Sequence, residues 1–286
     1  MPEVTRQDLQ DFLLTGTEYI ECRRKEFLMQ SMKGPEWRVQ LRMLWRITQL
    51  GVHLTTGVLI AVSSGLIWMP HSRRHQPVIG WWHARLCRIL NVRVRTHGEP
   101  LQGTGLWVSN HVSWLDIPVL GSRFPVYFLA KAEIAGWPVL GSLAKASGTL
   151  FIKRGSGDSR QVGSTLAVHL KAGRNVLFFP EGTTTDGHAL KRFFHRLFVA
   201  AVETDCEIQP ALICYRHEDG LHPLAPFIGD DEFFSHVLLL MRADPIDVDV
   251  MLLPPVSREG RDARALALHL EQVMGQALAK LIAQKG

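Results

Sequence analysis

From residue 91 onward the chain alternates short β-like runs with stretches of helical period, and this alternation restricts the fold more than any other feature. The candidate strands are VRVRT (92–96), GLWVSN (105–110), VYFLA (126–130), TLFIK (149–153), NVLFFP (175–180), IQPALICY (208–215) and DVDVMLL (247–253). Between them lie segments of helical period, notably 159–172, 190–203 and an Ala/Leu-rich stretch at 260–284. Strands separated by helices specify an α/β domain, here a mostly buried mixed sheet flanked by helices. A hydrophobic content of 46% supplies a core for it, and 21% charged residues argue against disorder. Such folds place their chemistry in the loops that follow the strands.

The first 90 residues have a different texture. Residues 1–35 read as an amphipathic, mixed-charge helical segment ending near Gly34–Pro35. From Ile47 to Met69 no residue carries a formal charge, and at 1.5 Å per residue such a run reaches across a bilayer core of roughly 30 Å. Gln49, His53, Thr55, Thr56, Ser63 and Ser64 make it a poor span, and arginines flank both ends without fixing an orientation. After a break at Met69–Pro70, VIGWWHARLCRIL (78–90) joins paired tryptophans to Arg85 and Arg88, the composition of a helix at headgroup level. The expectation is an N-terminal helical, membrane-associated region (1–90), peripheral or single-span, followed by an α/β domain (91–286).

A net charge of +5 fits an anionic membrane surface or an anionic substrate. Nucleic acid is not an expected partner, because neither a helix-turn-helix nor an aromatic-basic ribbon is evident. Cys22, Cys87, Cys206 and Cys214 form no CxxC pair, which suggests free thiols in a reducing compartment and no zinc knuckle.

Three polar clusters sit at strand ends. In SNHVSWLD (109–116), His111 and Asp116 are five apart, and within a regular helix that spacing leaves them about 140° apart. They meet only if the chain turns at His111 and a helix starts nearby. Ser113 and Asp116 have capping-box spacing, and Pro118 suits a first helical turn. In that geometry the carboxylate fixes one imidazole tautomer and raises the basicity of the other nitrogen. No GxSxG elbow surrounds a serine, and one His with one Asp is an incomplete metal-ligand set. The second cluster is the adjacent pair Lys153 and Arg154, cations suited to an anion at the end of a strand. The third is FPEGTTT (179–185), where Glu181 can accept from a substrate hydroxyl or cap a helix and Gly182 permits a close approach.

In this order the clusters resemble the glycerolipid acyltransferase family, of the 1-acylglycerol-3-phosphate acyltransferase type. Its blocks correspond to NHVSWLD (110–116), GTLFIKR (148–154), FPEGTTT (179–185) and the strand around IQPALI (208–213), with KAEIAGWP (131–138) similar to a further Lys-x-Glu stretch. The resemblance implies a glycerol-3-phosphate acyltransferase-like fold, with His111 as general base and Asp116 orienting it. It also implies acceptor binding by Lys131, Arg154, Glu181, Gly182 and Thr183. No metal, cofactor or covalent acyl-enzyme is implied. The donor would be acyl-CoA or acyl-carrier protein, and the acceptor a membrane lysophospholipid, first of all 1-acyl-sn-glycerol-3-phosphate giving phosphatidic acid, at the cytoplasmic face of the inner membrane. The family usually has FPEGTRS, and the phosphate-holding arginine is Thr184 here. Its loss costs about 1.5–3 kcal/mol at a phosphate site unless Arg154, Lys131, Lys191 or Arg192 compensates. A lyso-ornithine-lipid acyltransferase is therefore the alternative within the class, and a non-catalytic lipid-binding scaffold the alternative outside it.

Overall fold

The computed structural model describes residues 36–152, 159–218 and 220–283. In chain order its elements are α1 (Glu36–Ser63), α2 (Gln76–Ile89), β1 (Val92–His97), β2 (Leu106–Ser109), α3 (Asp116–Gly121), β3 (Val126–Lys131), α4 (Leu140–Ala146), β4 (Leu150–Ile152), α5 (Ser159–Lys171), β5 (Asn175–Phe178), α6 (Val199–Thr204), β6 (Ile208–His217), β7 (Gly220–Leu221), α7 (Phe233–Arg242), β8 (Ile246–Leu252) and α8 (Ala263–Ala283). The strands form one sheet in the order β1-β8-β6-β2-β5-β3-β4, with β7 paired to β6 outside that path. β8 runs antiparallel to β6, whereas β1–β8, β6–β2, β2–β5, β5–β3 and β3–β4 are parallel pairs. The mixed α/β sheet expected from the sequence is what forms.

Alternation along the strands builds two cores. Trp107, Leu177, Ala211, Ile213, Tyr215, Val248 and Val250 face one way and pack on α2, α3 and α7. Leu106, Val108, Val176, Phe178, Leu212 and Cys214 face the other way and pack on α5, α6 and α8. β2 and the first eight residues of β6 are buried at every position, as central strands covered on both faces must be. The parallel strands β2 and β5 end together, Val108 opposite Phe178. The loops SNHVSWLD and FPEGTTT therefore leave the sheet side by side.

The N-terminal helices are fastened to this body. Buried Arg46 of α1 donates to the carbonyls of Met241 and Ala243 at the end of α7, at 2.8 and 3.0 Å. Arg42 pairs with Asp244 at 3.2 Å. Farther along α1, buried His53 stacks on Trp82 of α2 with ring centroids 4.4 Å apart. One turn later Gly57 admits the Trp82 indole, because a Cβ there would lie 2.6 Å from its Nε1.

Two sequence expectations need revision. The uncharged run from Ile47 to Met69 is not one helix: α1 stops at Ser63, and the chain turns through Gly65 at φ 79°. No helix among the described residues is long and apolar enough to cross a membrane. The physical reason is that α1 takes in Arg38, Arg42 and Arg46 at one end and gives way to Ser63–Ser64–Gly65 at the other. Residues 190–203 are also not one helix; a 3₁₀ turn (His195–Phe198) and α6 occupy only the later part. The N–H groups of Lys191, Phe193 and Phe194 instead donate to Glu181, Glu271 and the Pro180 carbonyl.

Candidate active site

Just beyond β2, the Asn110 side chain takes over the pairing of a strand. Its Nδ2 donates to the Ile213 carbonyl at 3.0 Å, and its Oδ1 accepts from the Ile213 N–H at 2.7 Å. The next residue, His111, is held by its backbone from two sides. Its N–H donates to Glu181 Oε1 at 2.9 Å, and its carbonyl accepts from the Thr185 N–H at 2.8 Å. The imidazole lies flat on Phe179, with ring centroids 4.0 Å apart and an 11° angle between planes. Its Nδ1 is 2.7 Å from Asp116 Oδ2. A carboxylate oxygen can only accept, so the proton sits on Nδ1 and the lone pair on Nε2. The side chain is 19% exposed, so the ring keeps a limited opening to the surface.

Asp116 is the first residue of α3 and is fully buried. Its Oδ2 also accepts from the N–H groups of Val112 (2.7 Å) and Ser113 (3.0 Å), and its Oδ1 accepts from Tyr215 Oη at 2.7 Å. Four donors thus replace the water that a buried carboxylate gives up. The capping box forms only in its return half, because the buried Ser113 Oγ has no partner among the described residues and Leu115, the N-cap, makes no side-chain cap. The turn is closed by the aspartate instead.

Glu181 is 2% exposed and is spent on backbone, with Oε1 on His111 N–H and Oε2 on Lys191 N–H at 2.7 Å. Burial pushes its carboxyl up, and those two hydrogen bonds pull it back. Gly182 has φ 69°, and a Cβ there would meet the Phe194 ring at 2.6 Å, so both conformation and space call for glycine. Thr183 is exposed. The Thr184 hydroxyl donates to the Phe227 carbonyl. Lys131 is exposed at the end of β3, and Lys191 and Arg192 are exposed beyond the third cluster. Lys153 and Arg154 lie outside the described residues, as does the helical segment expected over 1–35.

The structure therefore brings together His111, Asp116 and Glu181, with Gly182 close by. Two contributors escape a reading of the sequence. Phe179 lies in a quoted motif yet has no polar atom to mark it, and Tyr215 lies 99 residues from its carboxylate partner. Only the face it shares with Ala211 and Ile213 on β6 points to it, and that face is fixed once the strand's neighbours are known.

A family model described as "Acyltransferase" matches residues 91–214. The chain is 47% identical over 203 residues to the lyso-ornithine lipid O-acyltransferase of Pseudomonas aeruginosa, covering 71% of this chain and 79% of the relative. The chain belongs to the acyltransferase family. Another acyltransferase, the 1-acyl-sn-glycerol-3-phosphate acyltransferase of Neisseria meningitidis, is 37% identical over 126 residues, 44% of this chain and 49% of that one. In three dimensions the acyltransferase fold is shared with the 1-acyl-sn-glycerophosphate acyltransferase PlsC of Thermotoga maritima, with a TM-score of 0.65 and 20% identity over 88% of this chain and 99% of that one. The matched family region begins at Asn91, runs through the sheet and ends at Cys214, one residue short of Tyr215.

Proposed function

We propose that this acyltransferase moves a fatty acyl group from a thioester, acyl-CoA or acyl-carrier protein, to the free hydroxyl of a lyso-ornithine lipid. The observation that carries the reaction is the His111–Asp116 pair at 2.7 Å, with Nδ1 committed to the carboxylate and Nε2 bearing the lone pair. The acceptor O–H gives its proton to Nε2 while its oxygen bonds to the thioester carbonyl carbon. Collapse of the tetrahedral intermediate breaks the C–S bond, and the departing sulfur takes the proton back from the imidazolium. Asp116 stabilises that cation through the contact at Nδ1. Glu181 and Gly182 shape the acceptor side through the backbone, and Lys131, Thr183 and Arg154 supply its polar groups.

The choice of acceptor is supported by Thr184. The related sequence pattern carries an arginine there, whereas this hydroxyl is tied to the Phe227 carbonyl. Without a guanidinium fork, binding of a phosphate monoester loses its strongest geometry. The match to the Pseudomonas relative points the same way. Lysophosphatidate is the second reading, favoured by the likeness to the Neisseria enzyme. Release of thiol by purified protein, with the two lysolipids as parallel acceptors, separates them. At least tenfold higher kcat/KM for the lyso-ornithine lipid is expected, and the reverse preference would move the protein to phosphatidate synthesis.

A membrane surface fits as the working site. Trp37, Leu41, Leu44, Trp45, Leu59, Trp68 and Trp81 are large apolar side chains left exposed, all on α1, the turn after it or α2. Such a band, with arginines among it, suits the headgroup boundary of the cytoplasmic leaflet, where thioester donors are found.

A further inference from the structure

The Asp116 carboxylate has two oxygens in different situations, and the second has no part in the reaction as written. Oδ2 receives the His111 Nδ1–H and two backbone N–H groups from its own turn. Oδ1 receives the Tyr215 hydroxyl, which comes from β6, the strand beside β2. Both residues are buried, Asp116 fully and Tyr215 to within 2%. The location of the hydroxyl is imposed by the body of the protein. Tyr215 is two residues beyond Ile213, which the Asn110 side chain grips by both its N–H and its carbonyl. It also lies in the ladder with β8, opposite Val248. The phenol stays protonated, because burial and then the Asp116 carboxylate beside it push it well above its ordinary range. Cys87 of α2, whose thiol burial pushes up to about 12, and Glu181, whose two oxygens accept from the His111 and Lys191 N–H groups, face the same cluster.

From this geometry we infer that Tyr215 is a positioning residue for acyl transfer: its hydroxyl locks the Asp116 carboxylate in the rotation that presents Oδ2 to His111 and draws off part of the charge that the imidazole sees. The inference rests on His111 acting as the base. If Tyr215 is removed, Oδ1 becomes a buried acceptor without a donor among the described residues. The ion is then less stabilised, and a proton enters the His111–Asp116 pair more readily. The basic form of His111 therefore becomes scarcer at the acidic end of the pH range.

The test is the pH profile of kcat/KM for Tyr215→Phe, with an acyl thioester donor and the lysolipid that the parallel-acceptor assay selects. The expected result is a loss of about 10- to 100-fold near neutrality, the range for a hydrogen bond to a charged group. The KM for each substrate stays within about threefold, and the acidic limb moves to higher pH by at least about half a unit. A uniform loss with an unmoved limb, or a loss confined to KM, overturns the inference. Should Tyr215→Phe fold poorly, 3,5-difluorotyrosine at position 215 keeps the shape and strengthens the donor. There the limb must move to lower pH, and an unmoved limb overturns the inference. His111→Ala run in parallel separates the two levels. An active His111→Ala protein removes the base on which the inference stands, whereas an inactive one beside a Tyr215→Phe enzyme of wild-type profile removes only the role of Tyr215.

Discussion

At the level of single residues, the His111–Asp116 pair turns an ordinary carboxylate and imidazole into a base by geometry alone. His111→Ala should lower the rate of transfer by at least about 10²-fold, the low end for a lost general base. The thermal midpoint should fall only modestly, since the ring sits at a partly open site and Asp116 keeps the Val112, Ser113 and Tyr215 donors. Steady-state thiol release and a melting curve on the same preparation check both halves. Retention of more than a few per cent of the rate would sink the base. Ser113 makes the opposite prediction. Its buried hydroxyl has no partner among the described residues. Ser113→Ala should therefore leave the thermal midpoint unchanged or raise it, and a loss of more than about 1 kcal/mol would show a hidden hydrogen bond. The meeting of His111 with Asp116 was legible in the sequence because a five-residue spacing excludes one continuous helix. Which group closes the turn was not legible: serine and aspartate three apart fit a cap in either direction, and burial chose the aspartate. Tyr215 was beyond reach for another reason. Its partner is fixed by the register of β6 against β2, which no local pattern encodes.

At the level of elements, α1 and α2 hold together through a close approach at Gly57 and a pair of neutral histidines. Gly57→Leu drives a side chain into the Trp82 indole, and overpacking of this kind costs about 1–3 kcal/mol. A lower thermal midpoint with unchanged kcat/KM well below that midpoint is expected; unchanged stability would mean that the helices have room to part. His53 and His83 both hold their pKa down to about 4, through burial first and then through Arg85 beside His53 and His53 beside His83. The native state thus refuses protons that the unfolded chain accepts. Stability is fully present above about pH 6.5 and falls as the pH drops towards 4. Melting curves across that window should show the fall, and His53→Leu should lessen it while His83, His169 and His222, also held low by burial, keep the remainder; an equal slope in the variant would place the acid sensitivity elsewhere. The exposed band on α1 carries its own prediction. Trp45→Glu should reduce co-sedimentation with anionic vesicles by about tenfold while thiol release from detergent-dispersed substrates is kept. The length of α1 was misjudged from sequence because an uncharged run does not report where its hydroxyls and glycine end the helix.

At the level of the whole molecule, the alternation of strands and helices was sufficient to give the class of fold, and each proposed strand has its counterpart in the sheet. The order of those strands was not readable, in particular the antiparallel β8 lying between β1 and β6. α7 also went unread: FFSHVLLLMR is a short apolar run of the sort that fits a strand as well as a helix. The choice is made by Glu232, which caps the helix by accepting from the N–H groups of Phe234 and Ser235. Arg46 then joins the helical region to the end of that helix through two carbonyls.

The grip of the Asn110 amide on Ile213 extends this connection to the time domain. Loops normally open many times faster than the strands they follow. Here the first residues past β2 are tied to a central strand by a side chain that copies a backbone, and the His111 N–H is closed off by a buried glutamate. Deuterium should consequently enter the His111 amide at close to the rate of the Val108 and Ile213 amides. The base would then keep time with the core, and it could be released only by an opening large enough to part β2 from β6.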